Sequence, residues 1–507
     1  MADADALCLA KALREPGFSA SVITTFNAYL PFYEEVVLRR LVAAGCTHNI
    51  VLMDARQCGA ALADAATRPR RAGRDYLLAP IACGGAFHPK ILLRLGKKRG
   101  SLFVGSHNLT LAGFGLNDEL SNRFDHDPRS PSSSVAPFRQ ATELIRRFTS
   151  NEPKQIADAI TAAFESAPWL TNVHAANESA NVLGSHLDGP DLWGQIRALI
   201  RGQVRRALIV APFFDSKLAF LATLLADLRP KELVVAVDPE TVELAAGAAK
   251  KFRQARFVDV RGRIPSNGRR EGVTPYLHAK LIWLEMDAGA IVVSGSANAS
   301  APAFLANAAS RNNEAVVVRH VDSATALART LGVAAFFKAP SVSSATWSDV
   351  DKRMTKKRAA TDSPSAEAKL AIATDQGFTI PITLPVGAQV DVLDQDLLAL
   401  GHALVTVSGP PAILVADDEV VEGAAFISCG NGEESHWMVV HHPLAIAEHF
   451  ASKTKTALRK ALGSLEEDPS QLEFVLKLSE KVIFDDEGSL EKEGVTQLKP
   501  STPPPSP

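Results

Sequence analysis

One pattern is written twice in this chain, and any fold must accommodate both copies. The first runs from Phe87 to Glu119, FHPKILLRLGKKRGSLFVGSHNLTLAGFGLNDE, and the second from Leu277 to Glu314. Each opens with a His and a Lys two residues apart (His88 and Lys90, His278 and Lys280), which in an extended stretch face the same side. Fifteen residues after each lysine comes Gly-Ser-x-Asn, as Gly105-Ser106-His107-Asn108 and Gly295-Ser296-Ala297-Asn298. An acid closes each copy, in Asn117-Asp118-Glu119 and Asn312-Asn313-Glu314. Only the last interval differs, 14 residues from Gly to Glu against 19.

The flanking order repeats too. Strand patterns at Ala20–Phe26, Ile50–Met53 and Tyr76–Ala82 alternate with helical spacing over Leu30–Ala44 and 56–67. Before the second copy, strands at Arg206–Pro212, Glu232–Val237 and Arg256–Val260 alternate with helices at Lys217–Leu228 and Thr241–Phe252. A basic loop precedes each copy, Arg68 to Arg74 and RGRIPSNGRREG at 261–272. Helices are expected at Phe138–Phe148, Lys154–Glu165 and Leu192–Arg201, with a loose polar stretch around 170–190. A supersecondary order that recurs over most of residues 20–320 implies two α/β halves, 1–185 and 186–342. Residues 343–368 are polar and read as a linker. Beyond it, 369–490 reads as an accessory domain, β-rich over 370–430 where residues alternate between Pro and Gly turns, then helical over 444–463 and 470–482. A tail over 491–507, ending STPPPSP, is expected to be disordered.

The residue types define a chemistry. A neutral imidazole can attack phosphorus and form a phosphohistidine, which divides one displacement into two. A second, protonated imidazole can give its proton to the leaving oxygen and then activate water. Two ammoniums and two amides can hold the non-bridging oxygens, work that a metal often does elsewhere. A carboxylate accepting from Nδ1–H fixes an imidazole tautomer. Small Gly and Ser residues let backbone N–H groups approach phosphate.

The doubled pattern HxK, GSxN and NxE resembles the phospholipase D superfamily over roughly residues 20–320. The resemblance implies two similar α/β sandwich halves packed as a pseudo-dimer around one metal-free site, with a small C-terminal β/α domain added here. It makes His88 the nucleophile, His278 the general acid, Lys90, Lys280, Asn108 and Asn298 the phosphate ligands, and Glu119 and Glu314 the groups that orient the histidines, with Ser106 and Ser296 in support at the substrate. The family's lipases carry an Asp five residues after the lysine. Here Leu95 and Glu285 stand in those positions, as in the nuclease-like and tyrosyl-DNA phosphodiesterase-like branches that also lack it.

Charge bears on the substrate. With 54 basic and 56 acidic residues the net charge is −2, so nucleic-acid contact must come from local patches. Arg70, Arg71 and Arg74 in the first basic loop, and Arg263, Arg269 and Arg270 in the second, are candidates for flanking phosphates. The cluster Lys352, Arg353, Lys356, Lys357 and Arg358 is a weaker one. His107 has no counterpart in the second copy and reads as non-chemical. His126 between Asp125 and Asp127 reads as an Asx-rich turn rather than a metal ligand, and His441, His442 and His449 as packing or surface residues. No cofactor or metal is expected. Five scattered cysteines fit a reducing compartment, and neither a signal peptide nor a run of roughly 20 apolar residues is present, which places the protein in the cytoplasm. The expected function is a metal-independent nuclease cleaving DNA or RNA, in anti-phage defence or repair beside an ATPase or helicase partner. The alternatives are a phospholipase or phosphatidyl transferase, for which an apolar rim is expected and none is visible in the sequence, and a non-catalytic nucleic-acid-binding or scaffold protein.

Overall fold

The computed structural model describes residues 8–130, 134–171, 180–185, 189–261, 276–305, 311–321, 324–359, 366–431, 434–444, 446, 472 and 474–476. Arg263, Arg269, Arg270, His449, the tail and most of the two C-terminal helical stretches fall outside them.

The chain is a mixed α/β protein with several sheets. In the first, β1 (Ala20–Thr25), β2 (His48–Asp54), β3 (Leu77–Ile81), β4 (Ile91–Leu95), β5 (Gly100–Gly105) and β6 (Ser121–His126) lie in the order β3-β2-β1-β4-β5-β6. The second holds β7 (Ala180–Ser185), β8 (Val204–Val210), β9 (Glu232–Val237), β10 (Arg256–Asp259), β11 (Leu281–Met286), β12 (Ala290–Gly295) and β13 (Glu314–Val321), ordered β10-β9-β8-β11-β12-β13-β7. The two orders match strand for strand, with β7 added at the end of the second. In each, three parallel strands meet an antiparallel run that begins just after the His-x-Lys. These strands are near-continuous apolar runs because both faces are covered.

The halves share a core. Ala315 and Val317 of β13 pack into the first half's apolar cluster, while Val316 and Val318 point into the second's. Asn122 of β6 donates to Ser294 Oγ of β12 at 2.8 Å and accepts from Arg319 Nε of β13 at 2.9 Å. Residues 180–185, expected to close the first half, form β7 and pair with β13. The stretch 343–368, expected as a linker, contains the helix Ser344–Ala359, whose Trp347 and Val350 are buried in the second half's cluster. Its helical character was hidden by polar composition, since a few apolar anchors, Trp347 and Val350 with the partly buried Met354, suffice to seat it.

Residues 369–441 form a closed barrel of β14 (Lys369–Thr374), β15 (Gly377–Ile380), β16 (Gln389–Leu393), β17 (Ala399–Val407), β18 (Ala412–Val415), β19 (Phe426–Asn431) and β20 (Glu434–His441), ordered β14-β15-β18-β17-β16-β19-β20. The barrel sits directly on the first half, with Leu370, Ile372, Phe426 and Val439 in the first half's cluster. Two glycines permit that approach: a Cβ on Gly59 would meet Ala366 O, and one on Gly73 would meet Val440 O. Gly73 also has φ +82°, a left-handed conformation that other residues adopt only with strain. Gly73→Ala should therefore destabilise the protein by about 1–3 kcal/mol and free the barrel first, read as a lower Tm with early proteolytic release of the barrel.

Candidate active site

Each half places its motif by the same local logic. His88 and Lys90 lie just ahead of β4, where the ladder closes as Gly105 N donates to Lys90 O at 3.1 Å. Asp54, at the end of β2, caps the helix Ala55–Ala63 and accepts from Phe87 N at 2.9 Å, anchoring the residue before His88. That anchor was not identified from the sequence, where an Asp ending a strand ahead of a helix reads simply as an N-cap. Gly105 and Gly295 end β5 and β12 because the neighbouring strand is close. A Cβ on Gly105 would stand 2.7 Å from Leu120 O, and one on Gly295 would meet Ala315 O. Leu120 and Ala315 directly follow the two acids, so these glycines bring the acids onto the serines.

The site itself is wired across the seam. His88 Nδ1–H donates to Glu314 Oε2 at 2.9 Å, and His278 Nδ1–H donates to Glu119, with Oε1 at 2.9 Å and Oε2 at 3.0 Å. Each histidine is thus held by the carboxylate of the opposite half. The backbones zip at the same two places. Asn313 N donates to Ala86 O at 3.0 Å and His88 N to Asn313 O at 2.9 Å; Asp118 N donates to Tyr276 O at 2.9 Å and His278 N to Asp118 O at 3.0 Å. Lys90 Nζ donates to His88 O at 2.9 Å, and Lys280 Nζ to His278 O at 2.7 Å. Asn108 and Asn298 share a further feature, a buried side-chain oxygen with no hydrogen-bond partner among the described residues. The aromatic walls differ: Phe26 lies 5.2 Å from the His88 ring, whereas Tyr276 and Phe213 flank His278 at 5.7 and 6.4 Å.

Electrostatics follow from burial. Both imidazoles are pushed down to about 4: His88 by burial and the charges of Lys90 and Lys280 against the pull of Glu314, His278 by burial and Lys280 against Glu119. Lys90 is held well below the usual lysine range by burial and by the charge of Lys280. Burial brings Lys280 down to about 8, with both glutamates opposing. For Glu119 burial works upward, but the His278 bond, the His278 charge and Lys280 outweigh it and hold the carboxyl at about 2. Glu314 is lowered in the same manner by His88. That the Lys280 charge acts on Lys90 and His88, and the Lys90 charge on His278, places all six groups in one electrostatic unit. Without a ligand the unit holds two anions, two weakened cations and two neutral imidazoles.

Several expectations are corrected here. The Ser106 and Ser296 hydroxyls are fully buried and committed: each donates to its glutamate and accepts from Leu120 N or Ala315 N. They brace the carboxylates rather than meet substrate. The serines' own backbone N–H groups are also spent, since Ser106 N and Ser296 N donate to Leu120 O and Ala315 O. The loop carrying Arg70, Arg71 and Arg74 enters β3 at Leu77, the end away from the site, and β3 spans about 13 Å before reaching the site end at Ile81. Glu34 accepts from Arg70 N and Arg71 N, Arg71 pairs with Asp75, and Arg74 donates to Glu422 O and Ala424 O of the barrel region. Topologically, the second basic loop corresponds to the short segment 82–86, not to 68–74, because each joins the third parallel strand to the His-x-Lys. Leu95 and Glu285 lie at the far ends of β4 and β11, where Glu285 pairs with Arg206.

Other groups fall away from the chemistry. His107 makes no hydrogen bond to the site's glutamates and is buried against Phe114. Burial pushes it down to about 4, with the charges of Glu119, Lys90 and His278 also acting on it. His126 stacks on Trp169 at 3.9 Å. Among the described residues no group of three or more His, Cys, Asp or Glu is placed to hold a metal. His441 and His442 are buried, His442 against Ala424 O. Arg353 is tied to Pro239 O and Val242 O, and Lys352 to Asp349. The lipid alternative gains a feature that was not visible in the sequence. Tyr29, Leu111 and Leu116 are exposed at 42%, 57% and 52%, and Tyr29 N donates to Leu109 O beside Asn108.

No family model matches the chain and no curated protein is similar to it. Among solved structures, it is similar to yeast tyrosyl-DNA phosphodiesterase, with 14% identity and TM-score 0.43 over 61% of this chain and 84% of that one. It is also similar to a phosphatidylserine synthase of Haemophilus influenzae, with 13% identity and TM-score 0.39 over 69% and 89%. Polyphosphate kinase of Porphyromonas gingivalis has 11% identity and TM-score 0.40 over 70% of this chain and 51% of that chain. Overlaps this loose carry no weight for activity.

The charge state has a measurable consequence. An anion entering between the histidines supplies the negative charge that a buried imidazolium lacks. Binding of inorganic phosphate or tungstate at pH 6 should then take up about one proton, seen as a binding enthalpy that depends on the buffer's ionisation enthalpy. A buffer-independent enthalpy would contradict the charge state described here.

Proposed function

We propose that the protein is a metal-independent phosphodiesterase acting on nucleic acid. The observation that carries the chemistry is the crossed pair of His–Glu hydrogen bonds, with both lysines in the same buried unit. Because a carboxylate holds each Nδ1–H, each Nε2 is free for chemistry. His88 Nε2 attacks phosphorus as the bond to the leaving oxygen breaks, and His278, protonated when the anion binds, gives its Nε2 proton to that oxygen. His278 then takes a proton from water, whose oxygen displaces His88 and releases the phosphate product. Lys90, Lys280, Asn108 and Asn298 hold the non-bridging oxygens.

The nucleic-acid assignment rests on the absence of the lipase Asp at Leu95 and Glu285 and on the basic stretch 261–272. The first basic loop no longer supports it. DNA is the favoured substrate, and an ATPase or helicase partner, a defence or repair role and a cytoplasmic location belong to this same reading. A lipid phosphodiester is the second reading, favoured by exposed Tyr29, Leu111 and Leu116 beside Asn108. In the described residues no helix is long and apolar enough to cross a membrane.

The deciding assay incubates the protein with labelled single- and double-stranded DNA, RNA and phosphatidylcholine vesicles, all in EDTA. Cleavage of nucleic acid is expected. Turnover of lipid alone would replace this reading with the second, and loss of all activity on chelation would overturn the mechanism. A phosphorylated protein trapped by rapid alkaline denaturation, which preserves the acid-labile N–P bond, should be absent in His88→Ala. His278→Ala should still form it from a substrate whose leaving group departs without a proton. Because binding takes up a proton on His278, kcat/KM should fall as pH rises above about 4, and fall more steeply above about 8 where Lys280 gives up its charge. Lys280→Arg should move that second break to higher pH.

A further inference from the structure

The glutamates have a third partner that the mechanism above does not use. Glu314 is fully buried, and its Oε2 already accepts from His88 Nδ1 and Ser296 Oγ. Its other oxygen, Oε1, accepts from Asn312 Nδ2 at 3.0 Å. The same side chain faces the opposite half through its oxygen, because Asn312 Oδ1 accepts from Ala86 N at 3.0 Å. Ala86 stands two residues before His88 and is joined to Asn313 by the seam's backbone bonds. One amide thus touches both the carboxylate that orients His88 and the backbone that carries it.

We propose that Asn312 is a positioning residue for His88, setting at once the angle of the Glu314 carboxylate and the seat of the His88 backbone. The inference rests on the phosphodiesterase reading for its kinetic consequence, though not for its structural one. Without the amide donor, Oε1 is left unpaired in a place sealed from water, a condition that costs a buried carboxylate heavily. The carboxylate turns toward another donor or takes up a proton, and His88 loses its fixed acceptor at Nδ1. The imidazole then mixes tautomers, and the lone pair at Nε2 is present only part of the time. Without the amide oxygen, Ala86 N–H is orphaned and the segment leading to His88 loosens. Asn117 makes the corresponding bond to Glu119 Oε1 at 3.2 Å, so its substitution should act on His278.

Two variants separate the halves of this role. Asn312→Ala removes both contacts. Asn312→Asp can still accept from Ala86 N–H but cannot donate, and it faces Glu314 with a second charge. With the full chain labelled with 15N at histidine, long-range proton–nitrogen spectra report the tautomer of each ring. The wild type should show His88 as the Nδ1–H form. Both Asn312 variants should move His88 toward a mixture while leaving His278 in place, and Asn117→Ala should do the reverse. With bis(p-nitrophenyl) phosphate as probe, the Asn312 variants should lose about ten- to a hundred-fold in kcat, the usual effect of removing an outer hydrogen-bond partner, with KM nearly unchanged. An unchanged His88 spectrum in either folded variant would overturn the proposal, and if Asn312→Ala does not fold, Asn312→Asp supplies the reading. A wild type inactive toward every phosphodiester would count against the proposed function, whereas the tautomer shifts would stand or fall without it.

Discussion

Everything in this structure turns on carboxylates exchanged across a seam. Glu314 belongs to the second half and holds His88 of the first; Glu119 belongs to the first and holds His278 of the second. Neither motif is chemically complete by itself. The shared core, the backbone zippers at 86–88 with 313 and at 118 with 276–279, and the Asn122–Ser294–Arg319 bridge fix the relative placement of the halves. Rigidity of this kind is what a site with tenths-of-an-ångström tolerances requires.

Burying six ionisable groups in one unit is expensive unless each is paired and the charges balance. The arrangement meets that requirement by near-symmetry. Two low-pKa carboxylates face two weakened ammoniums, with the imidazoles left neutral. The ammoniums point back at the carbonyls of their own histidines and so are ordered before any ligand arrives. In the proposed function the charge of a phosphodiester anion is offset by a proton taken up on an imidazole, so recognition of the substrate and activation of the acid are one electrostatic event.

Much of the fold was legible because periodicity and punctuation agreed. The expected helix Lys154–Glu165 and strand Glu232–Val237 appear with those bounds, and the stretch Leu30–Ala44 is helical to Ala43 with Gly45 at φ +97°. The reading failed where a residue's role depends on what arrives from elsewhere. Ser106 and Ser296 were expected in support at the substrate because their distance from an acid is set by sheet pairing, not by spacing along the chain. Arg70, Arg71 and Arg74 looked like a cleft rim because loops before equivalent motifs seemed equivalent, yet the strand β3 lies between that loop and the site. Residues 180–185 looked loose because a strand at a sheet edge is short and its partner, β13, lies far along the chain.

What the sequence determined by itself was the inventory and the duplication: two imidazoles, two ammoniums, two amides and two acids, at spacings equal enough to require equivalent local structures. Spacing sets which side of a strand a residue faces, so it could bring His to Lys within one half. It could not say which acid meets which histidine. That was decided by tertiary packing, because the Nδ1–carboxylate bonds join residues 226 and 159 positions apart and form only when two separately built sheets lock together. The same packing made Asn312 a bridge between the halves: its place in the repeated NxE pattern set it two residues from Glu314, but not which backbone its amide oxygen would meet.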